Sequence, residues 1–142
     1  MREEKGAIMV DRKKQKITSK YGGRGDHFHK GIDLRTWDLK FWKPQLIVFP
    51  EPCTVIRMWS DAWGEGMAVK PLESTQFDEL KFIHVKFKPW ILKGNSYKKG
   101  VAMGYSMLTK LCKSHHLHFE VWAALRHVDP ELYLDFRGID YG

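Results

Sequence analysis

The sequence predicts a mainly β fold: one sandwich-like domain of antiparallel sheet, with an open active-site groove and few short helices. Three observations predict it. Short apolar runs rich in β-branched and aromatic residues recur along the chain, separated by Pro, Gly and charged turn residues. Helical periodicity is weak throughout. No repeat, low-complexity stretch or long linker divides the 142 residues, a length that suits a single domain with a real core.

The elements follow in order. Residues 1–16, ending in Arg12-Lys13-Lys14-Gln15-Lys16, read as a basic, solvated N-terminal arm, and the domain is drawn over 17–142. Strands are expected over 47–49, 54–59, 67–70, 80–88, 101–103 and 117–122, with a turn over 95–100. The best short helix candidates are 106–113 and 130–136. Trp37, Trp42, Trp59, Trp63 and Trp90 are expected mostly to pack in the core or on a sheet face, a groove rim being the alternative. The segment 36–44 is expected to wall one side of the cleft.

Composition excludes some classes. Hydrophobic content of 43% with six tryptophans describes a folded globular chain. The balance of 24 Lys+Arg against 17 Asp+Glu gives a net charge of +7, which favours anionic partners. The basic residues are nevertheless spread out, and no nucleic-acid-binding signature appears, so no nucleic acid is expected. No run approaches the ~18 apolar residues of a membrane span. Met1-Arg2-Glu3-Glu4-Lys5 is followed by no apolar segment of a secretory signal. Cys53 and Cys112 lack Cys-x-x-Cys spacing, which excludes a cysteine-ligated structural zinc; two free thiols are the default reading.

The densest chemistry is Ser114-His115-His116-Leu117-His118-Phe119-Glu120-Val121. On a strand, His116 and His118 face one way and Leu117, Phe119 and Val121 the other. Two imidazoles on one face suit a zinc ion or proton transfer, and a pair of solvated histidines is the alternative. Upstream, Phe28-His29-Lys30-Gly31-Ile32-Asp33-Leu34 supplies a histidine and a carboxylate, with Gly31 between them to let the backbone bend. Glu120 shares the face of His116 and His118. It reads either as an acceptor that orients a histidine or as a surface carboxylate.

These segments resemble the lysostaphin/LytM-type zinc metallopeptidases, endopeptidases that cut peptidoglycan peptides. The resemblance is carried, in the family's order, by Ile17-Thr18-Ser19-Lys20-Tyr21-Gly22, by the His29 to Asp33 segment and by Phe49-Pro50-Glu51-Pro52-Cys53-Thr54-Val55. It continues through Phe82-Ile83-His84-Val85, Lys98-Lys99-Gly100-Val101-Ala102-Met103-Gly104-Tyr105-Ser106, His116-Leu117-His118 and Val128-Asp129-Pro130. Residue by residue, it implies His29, Asp33 and His118 as ligands of one Zn2+ ion, and His84 and His116 as catalytic histidines. The family's usual Gly-Pro before His-Leu-His is Ser114-His115 here, and its glycine-rich turn is replaced by 107–113. His115 receives no role and reads as a loop residue at the strand entry.

The implied activity is zinc-dependent hydrolysis of peptidoglycan stem or cross-bridge peptides by a monomer. The chemistry has a physical basis: three protein ligands leave an open position on zinc, which lowers the pKa of water from about 15.7 towards about 7. No His-Glu-x-x-His helix supplies a general base, so the two extra histidines fill that role. The expected place of action is the cell wall, reached by phage-type release as a lysin or tail-associated hydrolase, or by a processed chain. Two rivals remain at this stage: a D-alanyl-D-alanine carboxypeptidase-like zinc enzyme, and a non-catalytic wall- or partner-binding module on the same fold.

Overall fold

A computed structural model of the chain describes residues 9–142. The strands are β1 (Ile17–Ser19), β2 (Gly22–Arg24), β3 (His27–His29), β4 (Ile32–Arg35), β5 (Trp37–Asp38), β6 (Lys43–Pro44), β7 (Ile47–Val48) and β8 (Cys53–Asp61). They continue as β9 (Gly64–Pro71), β10 (Glu79–Ile83), β11 (Val85–Phe87), β12 (Ser96–Tyr97), β13 (Ala102–Ser106), β14 (His116–Ala123) and β15 (Arg126–Val128), followed by α1 (Pro130–Arg137). The main antiparallel sheet runs β1-β4-β14-β10-β9-β8-β12, with β15 also paired to β14. A second sheet runs β11-β13-β7, and β2-β3 and β5-β6 are separate ribbons. The mainly β, antiparallel fold expected from the sequence is the fold observed.

Alternation along the central strands makes the core. Leu117, Phe119 and Val121 of β14 are fully buried, as are Ile32 and Leu34 of β4, Leu80 and Phe82 of β10, and Met67 and Val69 of β9. Each such side chain contributes roughly 1.5–3 kcal/mol by leaving water. The opposite face of the same strands is left for polar residues, and the groove forms there.

Four differences from the expected elements have physical causes. The run 80–88 is not one strand: it breaks at His84, whose φ of 71° is a left-handed conformation uncommon outside glycine. β10 stays in the main sheet while β11 crosses to the second. The segment 106–113 is not a helix. The Thr109 hydroxyl accepts from the Leu111 and Cys112 amides, a local bond that competes with helical pairing. The helix at 130–136 does form, with Asp129 accepting from the Glu131 amide at its start and Gly138 left-handed (φ 69°) at its end.

The third difference is at the N-terminal side. The packed body begins by Met9 rather than Ile17, since Met9, Val10 and Gln15 are all buried. Gln15 exchanges side-chain hydrogen bonds with the backbone of Val10 at 3.0 and 2.9 Å, and Val10 bridges to Ile47. Lys13, Lys14 and Lys16 do face solvent. The first eight residues of the expected arm lie outside the described residues. Fourth, Trp37, Trp42, Trp59, Trp63 and Trp90 are all absent from the buried core, and Trp42 is 72% exposed. The interior is filled by aliphatic residues and by Phe and Tyr.

One buried carboxylate ties the ends of the fold together. Glu51, with no solvent exposure, accepts from the Glu73 and Ser74 amides at 2.9 Å and from the Ser74 and Tyr133 hydroxyls at 2.6 Å. Burial alone would raise the Glu51 carboxyl, but the bonds from Ser74, Tyr133 and Glu73 hold it below its ordinary value. Its contribution is therefore full above the unfolded pKa near 4.5 and is lost as pH falls through the depressed native value. Glu51→Leu strands the Ser74 and Tyr133 donors and is expected to cost about 3 kcal/mol in urea unfolding. Below pH 4.5 the unaltered chain is expected to lose stability more steeply than Glu51→Leu.

Candidate metal centre

The register of three strands assembles the site. β14 pairs with β4 so that His118 lies opposite Asp33 and Leu117 opposite Leu34. On its other side β14 pairs with β10, setting His118 beside Ile83, the residue before His84. His29 ends the β2-β3 ribbon and is brought back over β14 by Gly31. A Cβ on Gly31 would sit 2.3 Å from the Phe119 carbonyl oxygen, so the link can lie this close only because residue 31 has no side chain. The chain also bends at Gly31, as expected from the sequence.

The five histidine and aspartate side chains singled out in the sequence converge on one groove. Asp33 Oδ1 lies 2.9 Å from His118 Nδ1, 3.5 Å from His29 Nε2 and 3.8 Å from His116 Nε2. One ligand atom each from His29, Asp33 and His118 lies within 4.8 Å of the others. The His84 ring is 4.9 Å from that of His116 and 6.0 Å from that of His118. The cleft holds about 390 Å³ and is rimmed by Trp59, Asp61 and Trp63. A second hollow of about 450 Å³ is lined by Trp37, Arg35 and His115. His116 borders both.

Hydrogen bonds fix which ring nitrogen is free. His29 Nδ1–H donates to the Lys20 carbonyl at 2.8 Å, leaving Nε2 towards Asp33. His118 Nε2–H donates to Glu120 Oε2 at 2.9 Å, leaving Nδ1 towards Asp33. His84 Nδ1–H donates to the Trp63 carbonyl at 2.7 Å and His116 Nδ1–H to the Ser114 carbonyl at 3.0 Å. These acceptors cannot donate, so the carbonyl bonds select one tautomer each for His29, His84 and His116, while His118, with a carboxylate on either nitrogen, holds a proton on both until a metal takes Nδ1. Glu120 is the orienting acceptor and not a surface carboxylate. It is 8% exposed, and its other oxygen accepts from Trp122 Nε1–H at 2.9 Å.

The electrostatics call for a cation between Asp33 and His118. Burial would raise Asp33, but the His118 bond and the charges of His116, His118 and His29 hold it below the ordinary carboxylate value. Burial would also raise Glu120, and the bonds from His118 and Trp122 lower it. His118 sits between these two carboxylates. Burial works against its charged form, yet the bonds to Asp33 and Glu120 push it up to about 9. A proton on Nδ1 thus supplies the positive charge that the two carboxylates demand. Two imidazole lone pairs and one carboxylate oxygen are a donor set that zinc takes up in the same place, displacing that proton. The residues fit the ion.

His84 differs. Burial lowers its pKa, the Trp63 bond opposes this, and His116 and His118 lower it further, so the net shift is below 6.5. The ring is neutral at neutral pH and keeps a lone pair on Nε2. Its backbone strain is held by its amide donating to Glu65 O and its carbonyl accepting from Met107, both at 2.9 Å. His115 turns away from the cluster. It bonds Ser106 Oγ at 2.8 Å and stacks on Trp37 with centroids 5.0 Å apart. Sequence reasoning missed the carbonyls of Lys20, Trp63 and Ser114, because any residue type can supply a carbonyl. It also missed Cys112, which packs beside His84 and His116.

No protein-family model and no curated protein sequence matches this chain. Solved structures do. A zinc-containing peptidase from Vibrio cholerae superposes with a TM-score of 0.68 at 21% identity, over 89% of this chain and 39% of that one. The catalytic domain of the antimicrobial peptidase lysostaphin from Staphylococcus simulans gives 0.65 at 16% identity, over 85% and 92%. A chain of the SpoIIIAH–SpoIIQ complex gives 0.70 at 17% identity, over 90% and 99%. At 16 to 21% identity these likenesses establish a shared fold. The chain spans well under half of the Vibrio protein and nearly all of the lysostaphin catalytic domain.

Glu120→Gln leaves one of the His118 and Trp122 donors facing an amide nitrogen instead of an oxygen. Zinc affinity is expected to fall about 10–100-fold, measured by competition with a chromophoric chelator, while the circular dichroism spectrum stays unchanged.

Proposed function

We propose that this chain is a zinc-dependent endopeptidase that hydrolyses peptide bonds in bacterial peptidoglycan. The observation that carries the reading is the convergence of His29, Asp33 and His118 beside the free imidazole nitrogens of His84 and His116. It is supported by a fold shared with a zinc-containing peptidase and with lysostaphin's catalytic domain.

In this reading His29 Nε2, Asp33 and His118 Nδ1 hold the ion and Glu120 orients His118. Zinc, when bound, would act as a Lewis acid on the scissile carbonyl and lower the pKa of water towards about 7. The remaining work falls to the chain. His84 and His116 each have Nδ1–H tied to a carbonyl and Nε2 available. One takes a proton from the attacking water and passes it to the leaving amine, while the other, when it carries a second proton on Nε2, donates that proton's hydrogen bond to the developing oxyanion. The low basicity of His84 keeps it able to accept a proton at neutral pH.

The groove favours an endopeptidase over a carboxypeptidase, because His116 borders two hollows, which leaves room for chain beyond the cut bond. Trp59, Trp63 and Trp37 rim it and would grip an extended peptide. Action on the wall would put the enzyme outside the cytoplasm. Among the described residues no helix is long and apolar enough to cross a membrane.

His118→Ala is expected to lose both zinc and wall lysis. His116→Ala is expected to keep the zinc and slow lysis about 10²–10⁴-fold. Metal analysis and turbidity loss of purified walls check both. Undiminished lysis by His118→Ala and Asp33→Ala would refute the assignment. Product masses from glycine-bridged and diaminopimelate-linked walls identify the bond.

A further inference from the structure

Beside the first cluster lies a second set of metal-ligating atoms that shares no residue with it. One ligand atom each from His84, Cys112 and His116 lies within 4.8 Å of the others. The outer contacts of this set are already made. His84 Nδ1–H is held by the Trp63 carbonyl and His116 Nδ1–H by the Ser114 carbonyl, which leaves both Nε2 lone pairs free. A histidine whose other nitrogen is fixed on a carbonyl is the usual state of a metal-bound imidazole. The Cys112 thiol donates to the same Ser114 carbonyl at 3.6 Å.

Cys112 is held in place rather than carried on a loose loop. Its carbonyl accepts from the Thr109 amide at 2.8 Å and its amide donates to Thr109 Oγ1 at 2.9 Å, closing a tight turn. The residue is 3% exposed, although its neighbours His84 and His116 border the open cleft. The other thiol, Cys53, is fully buried in the core and belongs to no such set among the described residues.

We propose that His84, Cys112 and His116 form a second metal site, selective for soft or borderline divalent ions such as Zn2+ and Cd2+, whose occupancy switches off hydrolysis. The selectivity comes from the thiolate, which favours such ions over Mg2+ or Ca2+. Tetrahedral zinc–sulfur and zinc–nitrogen bonds of about 2.3 and 2.0–2.1 Å put ligand atoms about 3.3–3.6 Å apart, so atoms that lie within 4.8 Å of one another close by on the order of 1 Å, within the reach of side-chain torsions. Coordination releases the thiol proton to solvent, and a divalent ion with one thiolate and two neutral imidazoles carries net +1. The inhibitory half of the inference rests on the proposed function: the ion takes up the Nε2 lone pairs of His84 and His116, the groups assigned to proton transfer. Hydrolysis would then need one equivalent of zinc and stop at two.

The metal-free chain is titrated with Cd2+, and the sulfur-to-cadmium charge-transfer band in the ultraviolet is followed. Zinc stoichiometry is measured in parallel. The unaltered chain is expected to bind two equivalents and to develop the band. Cys112→Ser is expected to bind one and to show none. Wall lysis by the unaltered chain should rise with the first equivalent of zinc and be lost with the second, a loss that Cys112→Ser does not suffer. The site is overturned if the unaltered chain binds a single equivalent without the band, or if Cys112→Ser keeps the band. Because the band is read on the unaltered chain, the result does not depend on the variant folding. The two readings separate cleanly: Asp33→Ala should lose one equivalent and keep the band. A band without lysis at any loading refutes the enzyme and leaves the site. Lysis without a band does the reverse.

Discussion

The pairing of β14 with β4, which sets His118 across from Asp33, is the constraint on which the groove depends. Cross-strand partners on one face stand only about 4.5–5.5 Å apart at Cβ, so the backbone ladder alone brings an imidazole and a carboxylate within bonding range. A slip of one residue would turn Leu117 and Phe119 out to solvent and the histidines into the core. The cost of exposing those two buried side chains therefore guards the chemistry on the other face. Core and site are two readings of one register.

Around that pair, each imidazole is oriented by a neighbour that contributes nothing to metal binding itself. Carbonyls of Lys20, Trp63 and Ser114 hold the Nδ1–H groups of His29, His84 and His116, and Glu120 holds Nε2–H of His118. The result is a division by tautomer: His118 offers Nδ1, and the other three offer Nε2. His84 shows what such placement demands of the backbone. Its left-handed φ is an unfavourable conformation for a residue with a side chain. It persists because the residue stands where the chain leaves the main sheet for the second one, tied on both sides by backbone bonds.

The segment 107–115 gives this groove its own character. A turn closed by Thr109 delivers Cys112 to His84 and His116 and leaves Leu108 and Leu111 exposed, and His115 is held by Ser106 and Trp37. The tryptophans complete the picture. The large, partly polar rings of Trp37, Trp59 and Trp63 stand at the rim, as amphipathic side chains do where an apolar surface must remain wet.

Much of this was legible in the residues. Period-two alternation in 117–122 announced a strand with the histidines on one face, and the lack of helical periodicity announced a β fold. The His29, Asp33, His84, His116 and His118 set was legible through its resemblance to a known pattern, and the short helix through the run 130–136, while its caps at Asp129 and Gly138 were seen only in the structure. Tertiary structure decided the rest, because it depends on atoms that carry no sequence signal or on contacts between distant segments. Backbone carbonyls chose the tautomers. The Phe119 carbonyl explains Gly31. Burial between His118 and Trp122 made Glu120 an orienting group, though its type and parity allowed a surface role equally. The sequence between His84 and Cys112 could never reveal that the thiol comes near His84, since that approach arises only when β10 and β14 lie side by side.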